Sequence, residues 1–148
     1  MPTSTRFAVA VHALTALAVN DGRPVRSEDL ARSASTNPTV IRSLLCRLAD
    51  AGFTTARLGA GGGALLARPA ARIRLLDVYR AVEDSEVFSL PRRPPDETCP
   101  IGKHIHEAMQ PTLIRARTAL EDELAKVTIA DIAQEIARHG MSALTEQR

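Results

Sequence analysis

The stretch Ser35-Thr36-Asn37-Pro38-Thr39-Val40-Ile41-Arg42-Ser43-Leu44-Leu45-Cys46-Arg47-Leu48 decides the fold. Ser35-Thr36 form a tight turn, Asn37 is placed to cap a helix, and Pro38 takes the first helical position, where a missing N–H costs nothing. Ile41, Leu44, Leu45 and Leu48 recur at i, i+3, i+4 and i+7 and make one apolar stripe, and Gly52 lies just beyond the helix end. Thr39, Arg42, Ser43 and Cys46 fall on the opposite face, with Arg47 to one side. Such a helix sits on its neighbours by one face and leaves a polar, basic face free.

Upstream, Ser4 to Val19 reads as a helix with Phe7, Ala10, Val11, Leu14 and Ala18 at three- and four-residue steps, ended by Asn20-Asp21-Gly22. A short second helix follows, with Ser27 as N-cap and the acids Glu28 and Asp29 in its first turn, stopping near Ala34. Downstream the period changes. Phe53 to Leu58 and Ala64 to Ala67 read as two strands joined by the turn Gly59-Ala60-Gly61-Gly62-Gly63, and Arg68-Pro69 breaks the second. Helix, helix, tight turn, helix and glycine-tipped hairpin together describe a winged helix-turn-helix.

Beyond the hairpin, Leu75 to Val82 is a further helix, and residues 84–98, with Pro91, Pro94 and Pro95, read as an exposed linker. Residues 101–126 then step by three and four through Ile101, Ile105, Met109, Leu113, Ala116, Leu120 and Leu124. Pro111 is expected to kink this helix or divide it. Thr128 caps a last helix that Gly140 is expected to end, leaving 141–148 as a loose tail. The expected organisation is a head at 1–83, the linker at 84–98 and a helical arm at 99–140. In a chain of 148 residues a long amphipathic arm has little of its own domain to cover. Met109, Leu113, Ala116, Leu120 and Leu124 are therefore expected to form a dimer seam.

Hydrophobic residues make up 45% and charged residues 24%, which fits a folded domain and excludes wholesale disorder. With aromatics at 3%, the core must be built from Leu, Ile, Val and Ala. No apolar run is long enough to span a membrane, no secretory signal is visible at the start, and a cytoplasmic location is expected. The net charge of +2 hides an asymmetry. Residues 1–80 hold eleven Arg against five acids, whereas residues 81–148 hold eight basic residues against twelve acids. A basic first half suggests contact with a polyanion.

Several separate motifs resemble one bacterial family. They are Thr5-Arg6-Phe7-Ala8-Val9, Thr36-Asn37-Pro38-Thr39-Val40-Ile41-Arg42, Leu44-Leu45 and Gly61-Gly62-Gly63 followed by Leu65. Ala67-Arg68-Pro69, the run from Leu76 to Glu83 and Cys99-Pro100-Ile101-Gly102 continue the pattern, so that it covers roughly residues 3–137. In these the chain resembles the Rrf2 family of winged-helix transcription regulators, which includes the IscR, NsrR and CymR groups. The resemblance implies homodimers, a long helix crossing between subunits, and repression at palindromic double-stranded DNA. Some members hold an iron–sulfur cluster on three closely spaced cysteines before the long helix. Here that loop offers only Cys99, so the sequence resembles the cluster-free branch and no cofactor is expected.

On this reading Thr39, Arg42 and Ser43 face bases, since Arg can reach both guanine acceptors and Ser or Thr several base edges. Thr5, Arg6, Ser27, Asn37, Arg47, Arg57, Gly61, Gly62 and Gly63 face phosphates. Cys46, on the same face as Arg42, and Cys99 are candidate redox residues, with inert packing as the alternative. The effector, whether a small molecule or a redox signal, is not legible.

Other motifs carry less. The glycine turn lacks the Lys-Ser/Thr of a nucleotide loop. His104, His106 and Glu107 do not converge at helical spacing, and Glu121-Asp122-Glu123 point in different directions as a solvated face, so neither is read as a metal or catalytic site. No catalytic set rises above chance, and no enzyme is expected. The rival reading is a winged-helix protein-interaction or accessory module without sequence-specific DNA binding, which would present an apolar patch in place of the basic face.

Overall fold

The computed structural model describes residues 4–84 and 86–146, the last six of these by backbone alone. Helices α1 (Arg6–Val19), α2 (Ser27–Ser33) and α3 (Pro38–Asp50) precede strands β1 (Thr54–Arg57) and β2 (Gly63–Leu66). A single-turn helix at Ala70–Arg72 leads to α4 (Leu75–Val82), α5 (Pro100–Ala125) and α6 (Ile129–Glu146). This mainly helical fold with one antiparallel two-stranded wing matches the expected class.

The start of α3 forms as its sequence dictates. Asn37 has extended backbone, its side chain accepts from the Thr39 amide at 2.8 Å, and Pro38 follows at the first helical position. Ile41, Leu44 and Leu48 are buried, while Leu45, the remaining member of the stripe, is half-buried. They join two neighbouring apolar clusters. One gathers Leu44 and Leu48 with Ala10, Leu14, Phe53, Ile73, Val78, Val82 and Ile129. The other gathers Ile41 with Ala13, Leu17, Leu30, Ala31 and Ala64. Aliphatic side chains dominate both, as the scarcity of aromatics requires. Truncating a fully buried member such as Leu48 to Ala costs about 2–5 kcal/mol.

The wing pairs Thr54 with Leu66 through to Arg57 with Gly63, so the first strand is one residue shorter at each end than read from sequence and the second is shifted one residue toward its start. It is fixed at its root. The Phe53 amide donates to the Leu48 carbonyl at 2.9 Å, and the Thr54 hydroxyl to the Leu45 carbonyl at 3.2 Å. On its other side Val25 and Ala64 exchange backbone bonds at 3.0 and 2.8 Å, so the residue before α2 makes a third short rung. Here Gly63 is required, because a Cβ would lie 2.5 Å from the Val25 carbonyl oxygen.

Four expectations are corrected. Ser27 is the first helical residue of α2, with Arg26 as the extended flanking residue, so the Ser27 side chain does not cap it. Pro111 neither ends nor divides α5, which runs unbroken for 26 residues, about 39 Å. Proline leaves the carbonyl four residues back, Glu107, without its helical donor, and both residues are exposed to water that can replace it. Gly140 does not end α6, since glycine stops a helix only by turning left-handed and it does not do so here. Residues 141–146 are therefore helical rather than irregular.

The fourth correction concerns the arm. Its second helix returns to the head: Leu75 donates to the Val127 carbonyl at 2.8 Å and Ile129 to the Ile73 carbonyl at 2.9 Å. Thr128 and Asp131 close a reciprocal cap on α6, at 2.9 and 3.2 Å, and Ile129 is fully buried in the head core. By packing, α6 belongs with α1, and only α5 stands out as an arm.

Candidate nucleic-acid interface

Burial of Ile41, Leu44 and Leu48 turns Thr39, Arg42, Ser43 and Cys46 outward, and all four are exposed along one side of α3. The start of this helix is free of acids, so its partial positive end meets solvent without a neutralising side chain. Arg57 closes β1 and is exposed, and Gly61 and Gly62 carry the tip. The turn is sterically set. A Cβ on Gly62 would stand 2.1 Å from the Arg57 carbonyl oxygen, and Gly59 and Gly61 both have left-handed φ. Asn37 spends its side-chain oxygen on the helix cap, and Ser27 is half-buried.

Arg42 is not idle. Its guanidinium meets the Glu28 carboxylate at 2.8 Å, with both side chains about half exposed. Glu28 is held below its ordinary value first by its own backbone amide at the start of α2 and then by Arg42. An exposed pair of this kind exchanges readily with a stronger anion, because its net worth in water is small. This partner lies fourteen residues away, and no local sequence signal announces it.

Arg6 and Arg47 are drawn elsewhere. Arg47 donates to both Asp84 oxygens, at 2.7 and 3.0 Å, and to the Val82 carbonyl at 3.2 Å. Arg6 reaches Asp84 at 2.9 Å and Glu83 at 3.4 Å, and the Ser4 hydroxyl also donates to Glu83. Thr5 is exposed beside them. The predicted phosphate contacts thus divide. The Arg57 side chain is exposed on the wing, where the Gly62 amide closes the turn on the Gly59 carbonyl at 3.1 Å, while Arg6 and Arg47 hold the start of the linker against the head.

Of the predicted seam residues, Met109 and Ala116 are exposed on α5, whereas Leu113, Leu120 and Leu124 are half-buried against the same chain. Cys46 is exposed and Cys99 half-buried at the N-cap of α5. The amides of Gly102 and then Ile101 hold the Cys99 thiol below its ordinary value. His12 meets Ser33 Oγ at 2.8 Å, and His104 lies 3.8 Å from Glu107. Among the described residues no helix is long and apolar enough to cross a membrane.

A capped helix with an exposed polar face, preceded by a packed helix-turn unit and followed by an anchored wing, defines the winged helix-turn-helix proteins that bind DNA. The chain belongs to one family of them: residues 3–135 match the Rrf2 family, described as an iron-dependent transcriptional regulator. It is 36% identical over 129 residues to YwnA of Bacillus subtilis (strain 168), which bears the name of an HTH-type transcriptional regulator, covering 87% of this chain and 95% of that one. A crystal structure of a protein named as DNA-binding is 37% identical, with a TM-score of 0.68 over 86% of this chain and 97% of the other. A crystal structure named for a transcriptional regulator of Lactobacillus plantarum is 28% identical and superposes at a TM-score of 0.73 over 97% of both chains.

The iron of the family description finds no donor set here. Cys99 is the one cysteine of the loop before α5, and among the described residues no three of His, Cys, Asp and Glu are grouped to hold a metal ion. The residues present do not fit an iron site of the family's kind.

Proposed function

We propose that this regulator acts as a homodimeric repressor at a palindromic DNA operator, with α3 in the major groove. The outward face of α3 carries the proposal: Thr39, Arg42 and Ser43 are presented together, opposite the buried Ile41, Leu44 and Leu48. Arg42 reads a base by leaving Glu28, while Arg57 and the side-chain-free backbone of Gly61, Gly62 and Gly63 meet the phosphates from the wing. Thr5, Arg6, Ser27, Asn37 and Arg47 are flanking phosphate contacts, the two arginines by sharing their charge between Asp84 and the DNA.

Dimerisation is supported by α5, which has no buried residue along its 26-residue length and exposes Ile101, Met109, Ala108 and Ala116. Two copies joined there set two α3 helices about one helical turn apart on DNA. A thiol-redox response is part of the same proposal, with Cys46 on the groove face and Cys99 held below the ordinary thiol value by the amides of Gly102 and Ile101. The test is selection of bound duplexes from randomised DNA by the purified protein. A two-fold symmetric consensus is expected, and Arg42→Ala is expected to lose about 1–3 kcal/mol of discrimination at one position per half-site. An unchanged consensus in Arg42→Ala overturns the assignment of the reading face.

A further inference from the structure

We propose that the groove between the linker and α5 is a binding site for a small neutral molecule with a ring-sized apolar body and one hydrogen-bonding substituent. Ten large hydrophobic side chains are exposed among the described residues, and five of them line this one groove: Val87, Phe88, Leu90, Met109 and Ile114. Scattered exposed apolar residues are ordinary, but a convergence of half of them marks a binding surface. The groove holds about 240 Å³, just under the usual range for ligand pockets of ~300–1,000 Å³, which limits the occupant to one or two rings.

Charge sets the chemical class. The cation on the groove wall, Arg117, is closed by Glu86 at 2.8 Å, so no uncompensated charge is offered to a ligand. Gln110 and His106 complete the wall and present hydrogen-bonding groups beside the apolar surface of Leu113. A phenol or aromatic amine or amide suits this lining as it stands, whereas a carboxylate or phosphate must first displace Glu86 from Arg117.

A second copy of the chain is the weaker occupant. Helical geometry places Gln110, Ile114 and Arg117 roughly 125° around α5 from the line of Ile105, Met109 and Ala116. The groove therefore faces the chain's own linker, and the seam stripe faces outward, with Met109 on the shared edge. A ligand here would bridge the linker that leaves the head at Asp84 to the helix proposed to join two subunits. Its occupancy would thus bias the spacing of the two α3 helices. The regulatory half of this inference rests on the proposed function, but the binding half does not.

The probe is N-phenyl-naphthylamine, neutral and fluorescent in apolar surroundings, with its sulfonated counterpart anilinonaphthalene sulfonate as the charged control. Titrated into the full chain without DNA, the neutral probe is expected to saturate at one site per chain and to bind more tightly than the sulfonate. Phe88→Ser removes an exposed linker ring and Ile114→Trp fills the groove, and each is expected to weaken the probe about tenfold with unchanged circular dichroism. Saturating probe is then expected to change retention of a selected duplex several-fold. Absence of saturable binding, or binding indifferent to both substitutions, overturns the site. A changed oligomeric state in both variants without probe binding assigns the groove to a second copy and also overturns it. Probe binding with unaltered DNA retention overturns the regulatory half, and failure of the free protein to bind DNA is a failure of the proposed function alone.

Discussion

Arg47, near the end of α3, makes two hydrogen bonds to Asp84, the residue at which the chain leaves α4 for the linker. The contact ties the helix proposed to read DNA to the segment that carries the arm, and Arg6 adds a second guanidinium to the same carboxylate. Arg47 and then Arg6 hold the Asp84 carboxyl down from 3.8 to about 2.

The pH dependence follows from the sign of that shift. A carboxyl whose folded value lies below its unfolded one stabilises the fold above the unfolded value and stops doing so once protonated in both states. In urea unfolding, wild type is expected to exceed Asp84→Asn by a constant margin near neutral pH. That margin is expected to shrink as the pH falls below 3.8 and to vanish only once the pH is below about 2. A margin that persists in acid would mean that the asparagine perturbs packing rather than charge.

The wing allows charge and shape to be separated. Arg57→Ala is expected to weaken binding to all duplexes equally and to lower the slope of log affinity against log salt by about one. Gly62→Ala keeps the charge but places a methyl 2.1 Å from the Arg57 carbonyl oxygen, so the tip must deform. It is expected to weaken binding with the slope unchanged. Measuring both variants across a salt series checks the pair, and a reduced slope in Gly62→Ala would assign the glycine backbone a charge-screening role instead.

Within α5 the structure separates two sets of apolar residues that the sequence could not. Met109 and Ala116 are exposed, and their joint replacement by Glu is expected to halve the mass in light scattering. Unfolding free energy of the isolated subunit is expected to move by less than about 0.5 kcal/mol. Leu113 and Leu120 are half-buried against their own chain, Leu120 in a cleft with Tyr79 and Arg80 of α4. Replacing these by Asp is expected to destabilise the subunit as well. A Met109/Ala116 variant that stays dimeric would move the seam off this stripe.

What was legible in the sequence was local. Asn37-Pro38 capping and the glycine tip rest on contacts within a few residues, the stripe of Ile41, Leu44 and Leu48 on helical periodicity, and the structure reproduces them. The misses are long-range. Gly140 and Pro111 are breakers by propensity, yet neither breaks its helix, because an exposed turn can hydrate a lost bond and a glycine need not turn left-handed. The return of α6 to the head depends on backbone bonds between residues 73–75 and 127–129, which no periodicity encodes. At the site, the outward faces of Thr39, Arg42 and Ser43 followed from helical spacing. The acids that hold Arg42, Arg47 and Arg6 lie 14, 37 and 77–78 residues away, and their pairing exists only in the folded chain.

The two cysteines are expected to differ in what they report. Cys99 is held toward thiolate by the amides of Gly102 and Ile101, and the thiolate is the form that peroxide oxidises to sulfenic acid, releasing water. Cys46 stands exposed on the face that includes Arg42, while Arg42 and Arg47 are engaged by Glu28 and Asp84. Reaction rate and consequence therefore separate. Under limiting peroxide, mass spectrometry is expected to find oxygen on Cys99 first. Loss of DNA affinity is expected to follow the slower modification of Cys46, because only there does added bulk enter the groove. Cys99→Ser should then lose DNA binding on the same time course as wild type, and Cys46→Ser should keep it through the oxidant treatment. A thiol reductant is expected to restore wild type. Equal affinity of oxidised and reduced wild type would leave the protein without a thiol response. Protection by Cys99→Ser in place of Cys46→Ser would move the sensor to the start of α5.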